Sequence, residues 1–226
     1  KMIEIQNLSK QYENASQIIQ EVLLDINLTI ELGDSIAIVG PSGSGKSTLL
    51  NLIGSLDIPS SGDIMFEGKN INQLNEKEVS EFRNTKIGFV FQQHHLLPQL
   101  TLLENVLLPT LVSNNKDDAS KIEIRAKQLL KKVGLEDKID QSPSHCSVGE
   151  CQRAAVVRAL INQPKLILAD EPTGSLDEQN ASELVDLLSQ INKDENVSIV
   201  MVTHSLELAS KMKKVYKLSN KKLVLI

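Results

Sequence analysis

Residues 3–8 alternate apolar and polar side chains, the period of a strand with one buried face. A second strand is predicted within 22–30, where alternation returns near the end. The turn Glu31-Leu32-Gly33-Asp34 separates it from Ile36-Ala37-Ile38-Val39, a continuous apolar run that suits a strand covered on both faces. A helix-like run extends from Ser47 to about Ile53. Ser60-Ser61-Gly62-Asp63 marks a turn before a strand at 64–67, closed by Gly68-Lys69-Asn70, and 87–91 reads as a short apolar strand. The texture then changes. Helical periodicity runs through 101–112 and 117–133, with Asn114-Asn115-Lys116 between them and Glu123 and Lys127 as an acid-before-base pair at helical spacing. Residues 140–147 are loop-like and 149–161 are helical. Strands resume at 165–169, 198–203 and 214–218, with a helix over 178–191. Alternating strand and helix predicts an α/β fold with a mostly parallel, covered sheet. The helical section, roughly 93–160, reads as an insert between core segments 1–92 and 161–226.

The end of the run 36–39 carries the most informative chemistry. Gly40-Pro41-Ser42-Gly43-Ser44-Gly45-Lys46-Ser47-Thr48 sits between a predicted strand and a predicted helix, the context a phosphate-binding loop requires. Its glycines let backbone N–H groups turn inward around phosphate oxygens. The helix start at Ser47 adds a positive dipole end. Lys46 supplies a point charge for the outer phosphates, and the Ser47 hydroxyl suits Mg²⁺. The stretch predicts a nucleoside-triphosphate site, located where ligands of parallel sheets bind, beyond the carboxyl ends of the strands.

Composition narrows the setting. The 226 residues suit one α/β domain, and an apolar fraction of 41% fills one sizeable core. A net charge of −5 gives no basic footprint, so no nucleic-acid partner is expected, and 3% aromatics leave little for base stacking as a main activity. No stretch resembles a signal peptide, and no apolar run approaches the roughly 20 residues that span a bilayer. The expectation is a cytoplasmic protein, or one held at a membrane through a partner. Cys146 and Cys151 lack zinc-type neighbours and read as reduced thiols.

Two further strand ends add to the phosphate loop. Leu166-Ile167-Leu168-Ala169 is a buried-strand run ending in Asp170-Glu171. A carboxylate at Asp170 can hold the Mg²⁺ of a bound nucleotide, and Glu171 can act as general base on a water attacking the γ-phosphate. His204 follows the run Ile199-Val200-Met201-Val202-Thr203 and can hydrogen-bond the γ-phosphate or hold the attacking water. Gln92 ends the strand at 87–91, with an amide oxygen that can reach metal or water.

Phosphate loop, strand-end Gln, helical insert, Asp-Glu and strand-end His, in that order, resemble the ABC transporter nucleotide-binding domains over essentially the whole chain. The resemblance implies a P-loop NTPase core with an N-terminal antiparallel β part and a helical subdomain. It implies MgATP as ligand and hydrolysis of ATP as the reaction. It assigns the Walker A loop to 40–48, the Q-loop to Gln92, the signature to Ser147-Val148-Gly149-Glu150, Walker B to 166–171, the D-loop to Ser175-Leu176-Asp177 and the H-loop to His204. Tyr12, placed between the first two strands, matches the aromatic that stacks on adenine, or is a partly buried surface tyrosine. The resemblance further implies a second copy of the chain as partner. Two copies pair head to tail, and Ser147 and Gly149 of one cap the γ-phosphate held by the other.

The signature departs from the family's Leu-Ser-Gly-Gly-Gln or Leu-Ser-Gly-Gly-Glu. Cys146 replaces Leu with less packing volume, and Val148 replaces Gly with a β-branched side chain that would stand beside the phosphate and that forbids positive φ. The cap is therefore expected to work more weakly. The stretch Phe91-Gln92-Gln93-His94-His95-Leu96-Leu97-Pro98, followed by Thr101-Leu102-Leu103-Glu104-Asn105-Val106, looks like the bacterial lipoprotein-releasing ATPases of the LolD family. That likeness implies transmembrane permease subunits docking near the Q-loop at the cytoplasmic face of the bacterial inner membrane. Leu96, Leu97 and Pro98 either form an apolar surface for a partner helix or cover the local core. A metal role for His94 and His95 is not expected, since further ligands are missing. The ATPases of macrolide- or peptide-export and cell-division complexes share the domain type, and a soluble ABC-type regulatory ATPase is the non-transport alternative.

Overall fold

The computed structural model describes residues 1–13, 17–112 and 119–226. Its centre is a six-stranded sheet in the order β10-β9-β3-β8-β7-β6. The strands are β3 (Ser35–Val39), β6 (Ile87–Phe91), β7 (Leu166–Asp170), β8 (Ser198–Thr203), β9 (Lys214–Ser219) and β10 (Lys222–Leu225). Pairings among β3, β6, β7, β8 and β9 are parallel, and β10 closes the edge as an antiparallel hairpin with β9. A second sheet, order β2-β1-β4-β5, is antiparallel. It contains β1 (Ile3–Glu13), β2 (Ile19–Ile30), β4 (Ser61–Phe66) and β5 (Lys69–Asn70). The Leu24 amide donates to the Lys221 carbonyl at 2.9 Å and joins the two sheets.

Strand alternation divides the interior into two clusters. Ala37, Val39, Ile167, Ala169, Ile199 and Met201 face one cluster, and Ile36, Ile38, Leu166, Leu168, Val200 and Val202 face the other. The first is completed by α3 (Leu102–Leu107), α4 (Ala119–Lys132), α5 (Val148–Leu160) and α6 (Glu178–Asp194). The second is completed by α1 (Lys46–Ile53) and the antiparallel sheet. Both faces of the sheet's middle are therefore covered, which is why β3, β7 and β8 read as continuous apolar runs, whereas the edge strands β9 and β10 are mixed and partly exposed.

Several elements differ from the sequence reading. β1 runs on to Glu13, so Tyr12 lies inside it and not between the first two strands. The polar helix α2 (Glu76–Lys86) was not anticipated: only Phe82 of its residues is buried, so it shows no apolar stripe. The reciprocal Asn75–Glu78 cap at its start was the available signal. Helical periodicity over 101–112 holds only through α3, because Pro109 lacks the N–H needed to continue and the chain tightens into a short 3₁₀ turn at Leu108–Leu111. The short helix α7 (Leu206–Ala209) and β10 also went unread. The Asn114-Asn115-Lys116 connection and the first two residues of the predicted 117–133 helix lie outside the described residues. Glu123 and Lys127 pair at 2.6 Å.

Candidate functional site

The loop 40–48 leaves β3 and enters α1 at the carboxyl end of the parallel strands. Gly45 occupies the N-cap in left-handed geometry (φ 98°) with no side chain capping the helix. The first N–H groups of α1 therefore stay free for an anion. A Cβ on Gly45 would meet the Val22 and Leu23 side chains at 2.9–3.0 Å, and one on Gly40 would overlap the Leu218 carbonyl oxygen. Gly43 also has positive φ, 75°. Pro41 and Ser42 are exposed at the loop's crest, and Ser44 holds the turn through its amide to the Pro41 carbonyl at 3.2 Å. The Ser44 hydroxyl is buried without a hydrogen-bond partner. A buried orphan hydroxyl in a loop that packs too closely at Gly40 and Gly45 for a Cβ, and turns through positive φ at Gly43 and Gly45, fits a phosphate group.

Lys46 is buried and folds back over this loop, donating to the Gly40 and Pro41 carbonyls at 2.9 and 3.1 Å. Its Nζ lies 3.9 Å from Glu171 Oε1. Ser47 donates to Asp170 Oδ1 at 2.9 Å. These two groups, 123 residues apart in sequence, present hard oxygen donors side by side, a set that suits Mg²⁺. Burial raises the Asp170 carboxyl above its usual value, and the adjacent Glu171 charge adds to this against the Ser47 hydrogen bond. Such a carboxylate gains from a cation.

Glu171 sits just past β7 with φ 46°, a conformation uncommon for a residue with a side chain. Its amide donates to the Val202 carbonyl at 3.0 Å, and its carbonyl accepts from Gly174 N at 3.0 Å. Those bonds hold the turn. His204, beyond β8, places Nδ1 3.0 Å from Glu171 Oε2, while its amide lies 3.3 Å from the same oxygen. A carboxylate only accepts, so the imidazole proton belongs on Nδ1. Gln92 is exposed at the end of β6, and a Cβ on Gly174 would meet its side-chain amide at 2.8 Å. Lys46, Ser47, Asp170, Glu171 and His204 thus converge on one place, with Gln92 beside the turn that follows Glu171.

Ser147 and Asp177 form a different kind of structure. Ser147 caps α5: its Oγ accepts from Glu150 N at 3.2 Å, and its own amide donates to Glu150 Oε2 at 2.7 Å. Asp177 caps α6, accepting from Asn180 N at 2.9 Å and Asn180 Nδ2 at 2.7 Å. The Asn180 hydrogen bonds hold the Asp177 carboxyl below its usual value. Asn180 also packs on Gly149, where an added Cβ would sit 3.0 Å from its Oδ1. Val148 is the first helical residue of α5 and takes no positive φ. The expected backbone conflict at Val148 is therefore absent; its side chain instead stands 50% exposed at the helix start.

Tyr12 donates to Asp57 Oδ2 at 2.7 Å and is 41% exposed. The thiols of Cys146 and Cys151 are free, and burial pushes Cys151 up to about 11.

A model of the family described as "ABC transporter" matches residues 23–174. The chain belongs to the ABC transporter family. It is one of that family's ATPase cassettes. It is similar to MJ0796, a bacterial ABC transporter cassette solved as a dimer and, separately, as a dimer in a post-hydrolysis state with ADP and phosphate. Identity is 38%, the match covers 98% of this chain and 96% of that one, and the TM-score is 0.88. CbiO1 from Clostridium perfringens, part of the ABC transporter complex CbiONQ, matches at 29% identity and TM-score 0.87, covering 99% of this chain and 87% of its own.

Sequence reasoning missed how the cassette ties the segment that follows β6 to the helical region. Gln152 of α5 donates to the Phe91 carbonyl at 2.6 Å, and Arg158 donates to the His94 and His95 carbonyls at 2.7 Å each. Asn105 of α3 is fully buried and bonds both the amide and the carbonyl of Leu97. Leu96 belongs to the core, whereas Leu97 and Pro98 are exposed, so the two readings of this apolar triplet divide between its members. His94 spends Nδ1 on the Leu96 amide at 3.1 Å. Among the described residues no helix is long and apolar enough to cross a membrane.

Proposed function

We propose that the cassette binds MgATP in the 40–48 loop and hydrolyses it between two copies of the chain, driving extraction of lipoproteins from the bacterial inner membrane. The observation that carries the ATPase half of this reading is the continuous contact from Ser47 and Asp170 through Glu171 to His204 and Lys46. In it, the loop glycines, Ser42, Ser44 and Lys46 bind phosphates, and Thr48 continues the loop into the helix. Ser47, Asp170 and Gln92 would hold Mg²⁺, which would neutralise phosphate charge. Glu171 takes the proton of the attacking water, and His204 keeps that carboxylate and water aligned. Tyr12 offers its ring to adenine.

Ser147, Gly149 and Asp177 complete the site of the opposing copy head to tail. The free N–H groups at the start of α5 would cap the γ-phosphate with charge-assisted hydrogen bonds of about 1.5–3 kcal/mol each. Closure then depends on the γ-phosphate, and its loss reopens the pair. Val148 crowds that cap and weakens it. The helical subdomain, about 93–160, carries the signature, and its grip on the Q-loop links nucleotide state to the exposed Leu97-Pro98 edge. Permease subunits of the inner membrane would dock there. The 91–98 and 101–106 stretches support a lipoprotein-releasing permease. The test is reconstitution with the membrane subunits encoded nearest this chain: ATP-dependent lipoprotein release from proteoliposomes supports the reading. ATPase stimulation without lipoprotein release would move it to an export or cell-division system.

A further inference from the structure

Tyr12 is tied to a pair of charges that the nucleotide chemistry does not use. Lys10 and Tyr12 are two residues apart near the end of β1, where the pairing with β2 is irregular on either side of Lys10. The Lys10 ammonium lies 4.7 Å from the centre of the Tyr12 ring. It is 8% exposed and donates to Asp57 Oδ1 at 2.7 Å and to the Ile58 carbonyl at 2.6 Å. The other oxygen of Asp57 accepts the Tyr12 hydroxyl at 2.7 Å. Asp57 also accepts from the Ile58 amide at 2.7 Å, which fixes its own orientation. The Thr48 side chain, at the end of the phosphate loop, lies close enough to act on the phenol as well. An aromatic ring on a strand end has two soft torsions. Here its edge is pinned by a carboxylate and one of its faces is covered by a buried cation.

We propose that Asp57 and Lys10 are positioning residues for nucleotide binding, holding the Tyr12 ring so that its single uncovered face meets the base of the triphosphate seated in the adjacent loop. The proposal rests on the reading of Tyr12 as the base platform. The ring is paid for in advance: a pre-set surface loses less freedom on binding than a mobile one. Stacking reads any base, so the pair acts on affinity for the nucleoside part and not on the phosphates or the chemical step.

The experiment compares KM for ATP, kcat, and competition by inorganic tripolyphosphate in the full chain and in Tyr12→Ala, Tyr12→Phe, Asp57→Asn and the double variant Tyr12→Phe/Asp57→Asn. Tyr12→Ala should raise KM for ATP roughly ten-fold or more, the scale of one lost stack. Asp57→Asn and Tyr12→Phe should each raise it roughly three- to five-fold, the scale of one hydrogen bond, with kcat little changed. The double variant should be no worse than Asp57→Asn alone, since that substitution already cuts the link that Tyr12→Phe removes. Tripolyphosphate should compete equally in all. If Tyr12→Ala weakens ATP but Asp57→Asn and Tyr12→Phe do not, the positioning role is overturned while the platform stands. If Tyr12→Ala changes nothing, the platform reading itself falls. Parallel loss of tripolyphosphate competition in Asp57→Asn would show a general disturbance of the loop and also overturn the proposal.

Discussion

Lys46, Ser47, Asp170, Glu171 and His204 form one connected group within a single chain, with distances of 2.9 Å for Ser47–Asp170, 3.0 Å for Glu171–His204 and 3.9 Å for Lys46–Glu171. Ser147 and Asp177 connect only to their own helices, each satisfied by a residue three positions on. The first region is wired across the sheet, from β3, β7 and β8. The second is local and exposed, with Ser147, Val148 and Asp177 all at the surface. On the proposed function this difference is a division of labour: the region that would perform the chemistry fixes several groups from distant parts of the sequence against one another, whereas the region that would recognise the phosphate of a second copy needs only a rigid helix start with free N–H groups.

The largest effect is expected in the wired region. Glu171→Gln removes the base but keeps the size of the side chain and the chance of a His204 contact, and steady-state ATP turnover should fall by about 10²–10⁴-fold. Loss of less than tenfold would take Glu171 out of the chemistry and erase the contrast between the two regions. In the local region, Ser147→Ala should cost about 1 kcal/mol of stability through the lost cap. Chemical denaturation would report that cost, and turnover should become more steeply dependent on protein concentration. An unchanged concentration dependence would mean that Ser147 serves only its own helix.

Val148→Gly sharpens the comparison, because it alters the recognition surface without touching the wired group. It should strengthen ATP-driven association and raise turnover a few-fold, while costing at most about 0.5 kcal/mol in helix propensity. Equal association and rate in both proteins would show that the exposed valine is no obstacle. The smallest effect concerns Asp170. Its folded pKa is raised, so the native state holds this proton more firmly than the unfolded chain. That contribution is present at low pH and lost as pH rises through the raised value. At neutral pH the buried charge is a cost. Asp170→Asn should therefore raise the Tm of the nucleotide-free protein slightly, by no more than about 2–4 °C, while abolishing the rise in Tm that MgATP gives the parent. A lowered Tm without nucleotide would contradict the electrostatic account.

The phosphate loop and the Asp170-Glu171 pair were legible because each is a short contiguous stretch behind an apolar strand. The parallel sheet was legible for the same reason: burial on both faces leaves uninterrupted apolar runs. The helix α2 was not, since a surface helix with one buried side chain has no period to detect. Contacts between distant segments were equally hidden. Nothing near Tyr12 announces Asp57, which is 45 residues away, and nothing near Gln92 announces Gln152 gripping the Phe91 carbonyl from 61 residues on. That valine forbids positive φ has no backbone consequence at Val148, which takes no positive φ. The position is simply the first turn of α5, where any residue's backbone fits.

On the proposed function the wired region is half of a site, completed by the local region of a second copy. Sedimentation of the Glu171→Gln protein with and without MgATP separates the outcomes. The expected result is a monomer without nucleotide and a stable dimer with MgATP that Ser147→Ala weakens. A protein that binds MgATP and remains a monomer would contradict it.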